Sequence, residues 1–499
     1  MPTNDEFQVY REALAAELQP AMGCTEPIAL AYAAAEVGKR LGGYPEAIDV
    51  EVSRNIVKNV KSVIVPNTGG LSGIEAAVAA GLVCRRPEAR LQVLADVSDT
   101  ERAEIRERAE LPMTVRQSHE PDVFFIKVTG SLGGKTAAVT IRTYHTNITR
   151  IEENGVTILS KDDVCADAQA DGEAWSIPEL IKAARVMPLM EAETLLNRQI
   201  DCNSAIAAEG LKDNWGATIG KILLARNPED PATQARAWAA ARSDARMNGC
   251  ELPVIIVSGS ANQGITASVP VLIFARALKI DRETTLRAVL LSDLVTIALK
   301  QGIGKLSAYC GAVSAGCGSG AGIGFLEGLT DKEILGVIRN ALAITSGILC
   351  DGAKSSCAAK ISMAVEGALL ALDMVKNHQT FKAGDGIVQS TTDSTACAVG
   401  RIASRGMVST DREIIEIPRG NPRLQTREES RPSFLSSVKN IFRFSRSESF
   451  LYEILAEIFV PFRRRTSNAP EERLPKIKPT SPLHSTLSKS LKPCTRYGA

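Results

Sequence analysis

No CxxC pair occurs in this chain, although it holds eleven cysteines. That removes the paired spacing of zinc ribbons and ferredoxin-type clusters. GxxxxGK[ST] is also missing, and the glycines of 318–324 do not follow a strand as GxGxxG, so phosphate-cradling loops find no support. Charge of one sign is not in excess: 58 Lys and Arg face 57 Asp and Glu, which predicts no nucleic-acid partner. The first twenty residues, MPTNDEFQVYREALAAELQP, are charged throughout and contain no apolar leader core. The run at 306–326, LSAYCGAVSAGCGSGAGIGFL, has the length of a membrane span, but its six glycines and three serines argue against one. An odd cysteine count in a long chain predicts a reducing cytoplasm, with most thiols serving as small buried apolar groups.

Three regions follow from the patterning, and together they predict an α+β fold. Residues 1–170 read as helices plus a mixed α/β part, with β-rich runs at 47–53, 90–97, 122–130 and 135–145 and a solvent-facing helix in DTERAEIRERAE (99–110). Residues 171–417 read as a large, mostly helical domain interrupted by glycine-rich breaks. Residues 418–499 differ in kind. From 421 onward they hold fifteen Lys and Arg against seven Asp and Glu, and six of the twelve phenylalanines. That composition reads as an appended, largely disordered tail, although 433–465 has an apolar stripe with basic flanks that suits a membrane surface or partner helix. No internal repeat is visible.

What is present is concentrated in small-residue stretches. AMGCTEP (21–27) sets Cys24 just ahead of an Ala- and Leu-rich helix over 28–41, with Pro27 in the first turn and Thr25 or Glu26 available as cap. A thiol there feels the positive end of the helix dipole, which favours thiolate. VPNTGGLSG (65–73), SGSANQG (258–264), CGAVSAGCGSGAGIG (310–324) and LCDGAKSSC (349–357) each put glycine beside small polar or cysteine residues. Glycine lets backbone N–H groups approach a ligand, or lets helices pack closely; both readings apply.

In this order, GCTEP, NTGG, TYHTN (143–147), SGSANQG, YCGAV and CDGAK resemble the L-cysteine desulfidase family, serine dehydratase alpha-chain-like proteins related to the oxygen-sensitive iron–sulfur L-serine dehydratases. The resemblance covers about residues 5 to 417 and leaves the tail without a counterpart. It implies a [4Fe-4S] cluster held by three cysteines, and its motifs fall on Cys24, Cys310 and Cys350. Soft thiolates suit such a cluster, and an iron without a protein thiolate is an open Lewis-acid position. Cys317 and Cys357, seven residues after Cys310 and Cys350, are rival ligands whose neighbours read as packing positions.

The chemistry then expected is β-elimination from a small amino acid: L-cysteine and water give hydrogen sulfide, ammonia and pyruvate. Elimination needs a base within reach of the Cα proton. His145 in TYHTN is the first candidate, ahead of His119, His378 and His484, with Lys354 and Asp351 as others. Asn67, Thr68, Gly69, Gly70, Asn262, Gln263 and Gly264 are candidates for holding the substrate's carboxylate and amino group. A homo-oligomer is expected. Rival readings are an L-serine dehydratase using the same cluster, a pyridoxal-phosphate lyase (suggested by SGSANQG), and a non-catalytic sensor or scaffold.

Overall fold

The alternation in AIDVEV becomes a strand that sits inside a six-stranded sheet, and the alanine-rich run after Cys24 becomes the helix covering it. The computed structural model describes residues 6–61, 63–161, 175–304 and 306–417. The first part runs α1 (Gln8–Glu17), β1 (Pro20–Met22), α2 (Thr25–Leu41), β2 (Ala47–Val52), α3 (Arg54–Val60), α4 (Ile74–Cys84), a 3-10 turn (Pro87–Gln92), α5 (Asp99–Ala109), β3 (Thr114–Gln117), β4 (Phe125–Leu132), β5 (Lys135–Arg142), β6 (Ile148–Glu153) and β7 (Val156–Ser160). The sheet order is β3-β2-β4-β5-β6-β7, with only the β2–β3 pair parallel. Helix α2 packs across β4 and β5 and against α4, so one face of the sheet is buried. Helix α5 turns outward with only Ile105 buried, and Ser98 and Glu101 close a capping box at its start.

The second part is helical: α6 (Ile177–Val186), α7 (Met190–Lys212), α8 (Ile219–Leu224), α9 (Pro231–Met247), then β8 (Pro253–Ile255), α10 (Ala261–Ala277), α11 (Arg282–Ile303), α12 (Gly311–Leu326), α13 (Asp331–Thr345), α14 (Cys357–Lys376), α15 (Thr392–Arg401), a π turn (Ile402–Gly406) and α16 (Val408–Glu416). Helix α12 is the hub, packed by α10, α11, α13 and α14. The fold class is α+β, as the patterning predicts. The two parts are stitched together by β1 pairing antiparallel with β8, Pro20 opposite Ile255 and Met22 opposite Pro253. Among the described residues no helix is long and apolar enough to cross a membrane. The tail and its 433–465 stripe lie outside the described residues.

Three local expectations need correction. RLQVLADV is not a strand: Pro87 opens a 3-10 turn that ends at Gln92, with Leu91 buried inside it and Leu94 buried just after it. CGAVSAGCGSGAGIG is not a break but helix α12, whose glycines are sites of backbone contact. A Cβ on Gly318 would stand 2.4 Å from the Ser292 carbonyl oxygen. Neither Thr25 nor Glu26 caps α2. Cys24 is the N-cap residue, and both of the others lie in the first turn.

Candidate active site

The β1–β8 pairing delivers Cys24 to the helical part of the molecule. Its side chain is buried, and Arg246 of α9 reaches it: Nη2 donates to Cys24 Sγ at 3.5 Å, while Nε donates to the Gly23 carbonyl at 2.9 Å. The same guanidinium donates through Nη1 to Asn262 Oδ1 at 3.0 Å, so one buried cation spans GCTEP and SGSANQG. Ser243 Oγ donates to that same Asn262 oxygen at 3.2 Å.

Cys310 and Cys350 are brought side by side by a short antiparallel bridge between Tyr309 and Leu349. Cys310 N–H donates to Ile348 O at 3.1 Å, and Cys350 N–H donates to Ala308 O at 2.7 Å. Cys310 then serves as N-cap residue of α12. Cys357 opens α14 and turns back, its thiol donating to Gly352 O at 3.6 Å. Burial, with Cys350 and Cys357 adding to it, pushes the Cys310 thiol up to about 12. Burial likewise pushes Cys24 up to about 12; Arg246 opposes this, while Glu26 and Cys357 add to it. Cys357 is therefore within electrostatic reach of Cys24, Cys310 and Cys350. Cys317 is elsewhere, buried in the helical core.

Beside the thiols lies a buried carboxylate. Glu26 accepts from Asn59 Nδ2 at 2.9 Å and Thr25 Oγ1 at 3.1 Å, and His145 Nε2 stands 4.0 Å from its Oε1. Burial would raise the Glu26 carboxyl, but His145, a backbone N–H and Arg246 outweigh it and hold the group at about 2. His145 comes from the turn between β5 and β6, its ring edge-on to Phe124 with centroids 4.7 Å apart. Four buried polar atoms of these segments have no hydrogen-bond partner: His145 Nε2, Asn59 Oδ1, Asn55 Oδ1 and Gln263 Oε1. A cavity of about 1030 Å³ has Asn55, Phe124, Thr143, Ser258 and Ala308 in its wall; of the four residues with an unpartnered atom, Asn55 alone lines it. Buried polar atoms normally find partners, so these four are open to a hydrogen bond from a ligand.

The other predicted residues divide. Gln263 stands over the Cys310 loop, since a Cβ on Gly311 would lie 2.8 Å from Gln263 Cδ. Gly264 serves packing: its Cβ would meet the Ile255 carbonyl oxygen at 2.1 Å. Asn67 and Thr68 spend their side chains within or beside their own loop, on the carbonyls of Leu94, Ala95 and Val65. Gly69 and Gly70 are exposed, Gly69 O accepting from Arg106. Asp351 is paired with Lys360, and Lys354 Nζ donates to Asp351 O at 2.6 Å, so both stabilise the cysteine loop itself. Sequence reasoning missed Arg246, Asn59 and the partnership of Glu26 with His145. One signal was there for Arg246: it follows Arg242 by one helical turn in an alanine-rich helix.

The serine dehydratase alpha chain family model matches residues 88–416. The chain belongs to that family. Its segment takes in His145, Cys310, Cys350 and Cys357, and Cys24 lies ahead of it. A UPF0597 protein of Desulfitobacterium hafniense is 46% identical over 414 residues, covering 82% of this chain and 96% of the relative. One from Lachnoclostridium phytofermentans is 43% identical, covering 81% and 98%, and one from Treponema denticola 40%, covering 83% and 98%.

The donor set can be tested against the cluster that serine dehydratase alpha chains suggest. Among the described residues no three His, Cys, Asp or Glu side chains gather tightly enough for a single metal ion. A cluster asks for something different, because each thiolate binds its own iron and the sulfurs stay spread around the cube. Thiols that burial has pushed upward gain most from a bound cation, and Cys24, Cys310 and Cys357 are of that kind, with Cys350 bridged beside Cys310.

Proposed function

We propose that the chain is an iron–sulfur-dependent amino-acid lyase that releases sulfide from L-cysteine. The observation that carries this reading is the meeting of four thiols with a buried His–Glu pair and a set of unpartnered polar atoms. Cys24, Cys310 and Cys350 are the ligands in this reading. Cys357 is the alternative third ligand, because it faces all three others. The cluster, when bound, supplies a Lewis-acidic iron that takes up the leaving sulfur.

The protein's own groups account for the rest. Arg246 makes three hydrogen bonds and keeps further N–H groups for a substrate carboxylate. Gln263 Oε1 and Asn59 Oδ1 accept from the substrate ammonium. His145 takes the Cα proton, and Glu26, with Oε1 4.0 Å from His145 Nε2, stabilises the imidazolium that forms. The Cα–H electron pair forms the Cα=Cβ bond, and the Cβ–S pair leaves with sulfur. The product, aminoacrylate, tautomerises and takes up water to give pyruvate and ammonia. A soft acceptor favours a thiol over an alcohol, and hydrosulfide leaves more readily than hydroxide. At about 1.4 kcal/mol for each effect, cysteine is favoured over serine about a hundredfold.

The test is anaerobic turnover of L-cysteine and L-serine side by side. The reading expects sulfide and pyruvate in equal amounts from cysteine and far slower pyruvate from serine. Equal or faster release from serine turns the assignment to a serine dehydratase, the activity that the family description names.

A further inference from the structure

The loop 350–352 makes an unusual set of contacts. Its three successive carbonyl oxygens each accept from a side chain: Cys350 O from Lys58 Nζ at 3.5 Å, Asp351 O from Lys354, and Gly352 O from Cys357. Lys58 differs from the other two because it comes from outside the loop, from α3. The loop also rests on the Lys58 backbone. Gly352 has φ +100°, and a Cβ there would lie 2.5 Å from Lys58 O. Lys58 thus touches the cysteine loop twice, through its ammonium and its carbonyl.

Its ammonium is nearly sealed, at 3% side-chain exposure, and its counter-charge is Asp411 Oδ1 of α16 at 2.5 Å. A buried ammonium without a carboxylate is costly, so the last helix of the family segment decides whether Lys58 stays where Cys350 needs it. Asp411 also lines the cavity described above. We propose that Lys58 is a positioning residue for the Cys350 loop, and that α16 clasps it there through Asp411. The geometry stands without the cluster; only its consequence for turnover rests on the function proposed above.

Hydrogen exchange of the full chain, read by mass spectrometry over 349–356 and over 311–326, tests this. Asp411→Asn and Lys58→Met should each speed exchange of 349–356 about tenfold or more while 311–326 keeps its wild-type rate. Lys58→Arg, which keeps the charge but not the compact ammonium, should speed exchange of 349–356 less than Lys58→Met does. Unchanged exchange over 349–356 in Asp411→Asn would overturn the clasp. So would equal acceleration of both segments, which marks a general loss of stability. Because no iron is needed for this readout, an iron-free protein refutes the function without touching the clasp.

Discussion

The segments 310–324 and 349–357 are written in the same small vocabulary, glycine beside cysteine, serine and alanine, and each opens next to a candidate ligand. The first is a helix threaded through the centre of a bundle; the second is a loop held by side chains. In α12 the glycines fall where neighbouring backbones pass. Gly318 faces Ser292 O, Gly322 faces Ala288 O at 2.7 Å and Gly316 faces Ala364 O at 2.7 Å, each distance measured from an added Cβ. In the loop, Gly352 serves a turn at positive φ, and the charged residues Asp351, Lys354 and Lys360 bind the chain to itself. Glycine beside cysteine marks either close packing or a ligand loop; the charged neighbours tell them apart.

The contrast predicts its largest effect at the cysteines. Cys310→Ser or Cys350→Ser should lose most of the iron and at least about a hundredfold in turnover, about 3 kcal/mol of transition-state stabilisation. Cys317→Ser should keep both and cost only stability, since a hydroxyl there has no partner in an apolar core. Iron retained in Cys310→Ser but lost in Cys317→Ser would reverse the two roles. Glycine replacement sharpens the same comparison. Gly318→Ala should lower unfolding free energy by about 1–3 kcal/mol or more, read by denaturant titration. Gly352→Ala should instead deplete iron while changing the melting temperature less.

The bundle around α12 also carries a pH signature that the loop does not. Asp293 is fully buried with Gln199 Nε2 donating to it at 2.9 Å, and burial, offset in part by Gln199, pushes its carboxyl up to about 8. The folded chain then holds a proton that the unfolded chain releases near pH 4. Stability from this group falls as pH rises from about 4 to about 8 and is gone above that. Asp293→Asn should therefore gain on wild type through that window, with melting curves at pH 5 and 8.5 as the check. An unchanged difference between the two pH values would refute the raised carboxyl. Smallest is the effect of removing residues 421–499. A chain stopped after Gly420 keeps Asp411 and all of α16, so its turnover should match the full chain.

How much of this was legible in the residues depends on what each element needed. AIDVEV, the helix after Cys24 and the solvent-facing helix at 99–110 are local patterns, and each forms as its pattern predicts. The approach of Cys310 to Cys350 is not local. It depends on the Tyr309–Leu349 bridge, and nothing within either segment announces that pairing. The resemblance placed these residues together before any contact did. Arg246 escaped notice because an arginine in an alanine-rich helix usually faces solvent, whereas this one is buried against Gly23 and Cys24. Asn67 and Thr68 read as ligand donors because their glycines suggest an open loop; their side chains donate to the carbonyls of Leu94, Ala95 and Val65, which the sequence does not announce.

The central claim is that the thiols of Cys24, Cys310 and Cys350 hold iron at a lyase site. Iron and acid-labile sulfide, measured on the full chain purified without oxygen, test it most directly. The account predicts about four of each per chain, lost together with sulfide release from L-cysteine on exposure to air. A chain that contains no iron or labile sulfide, yet folds and releases sulfide from L-cysteine, would contradict it.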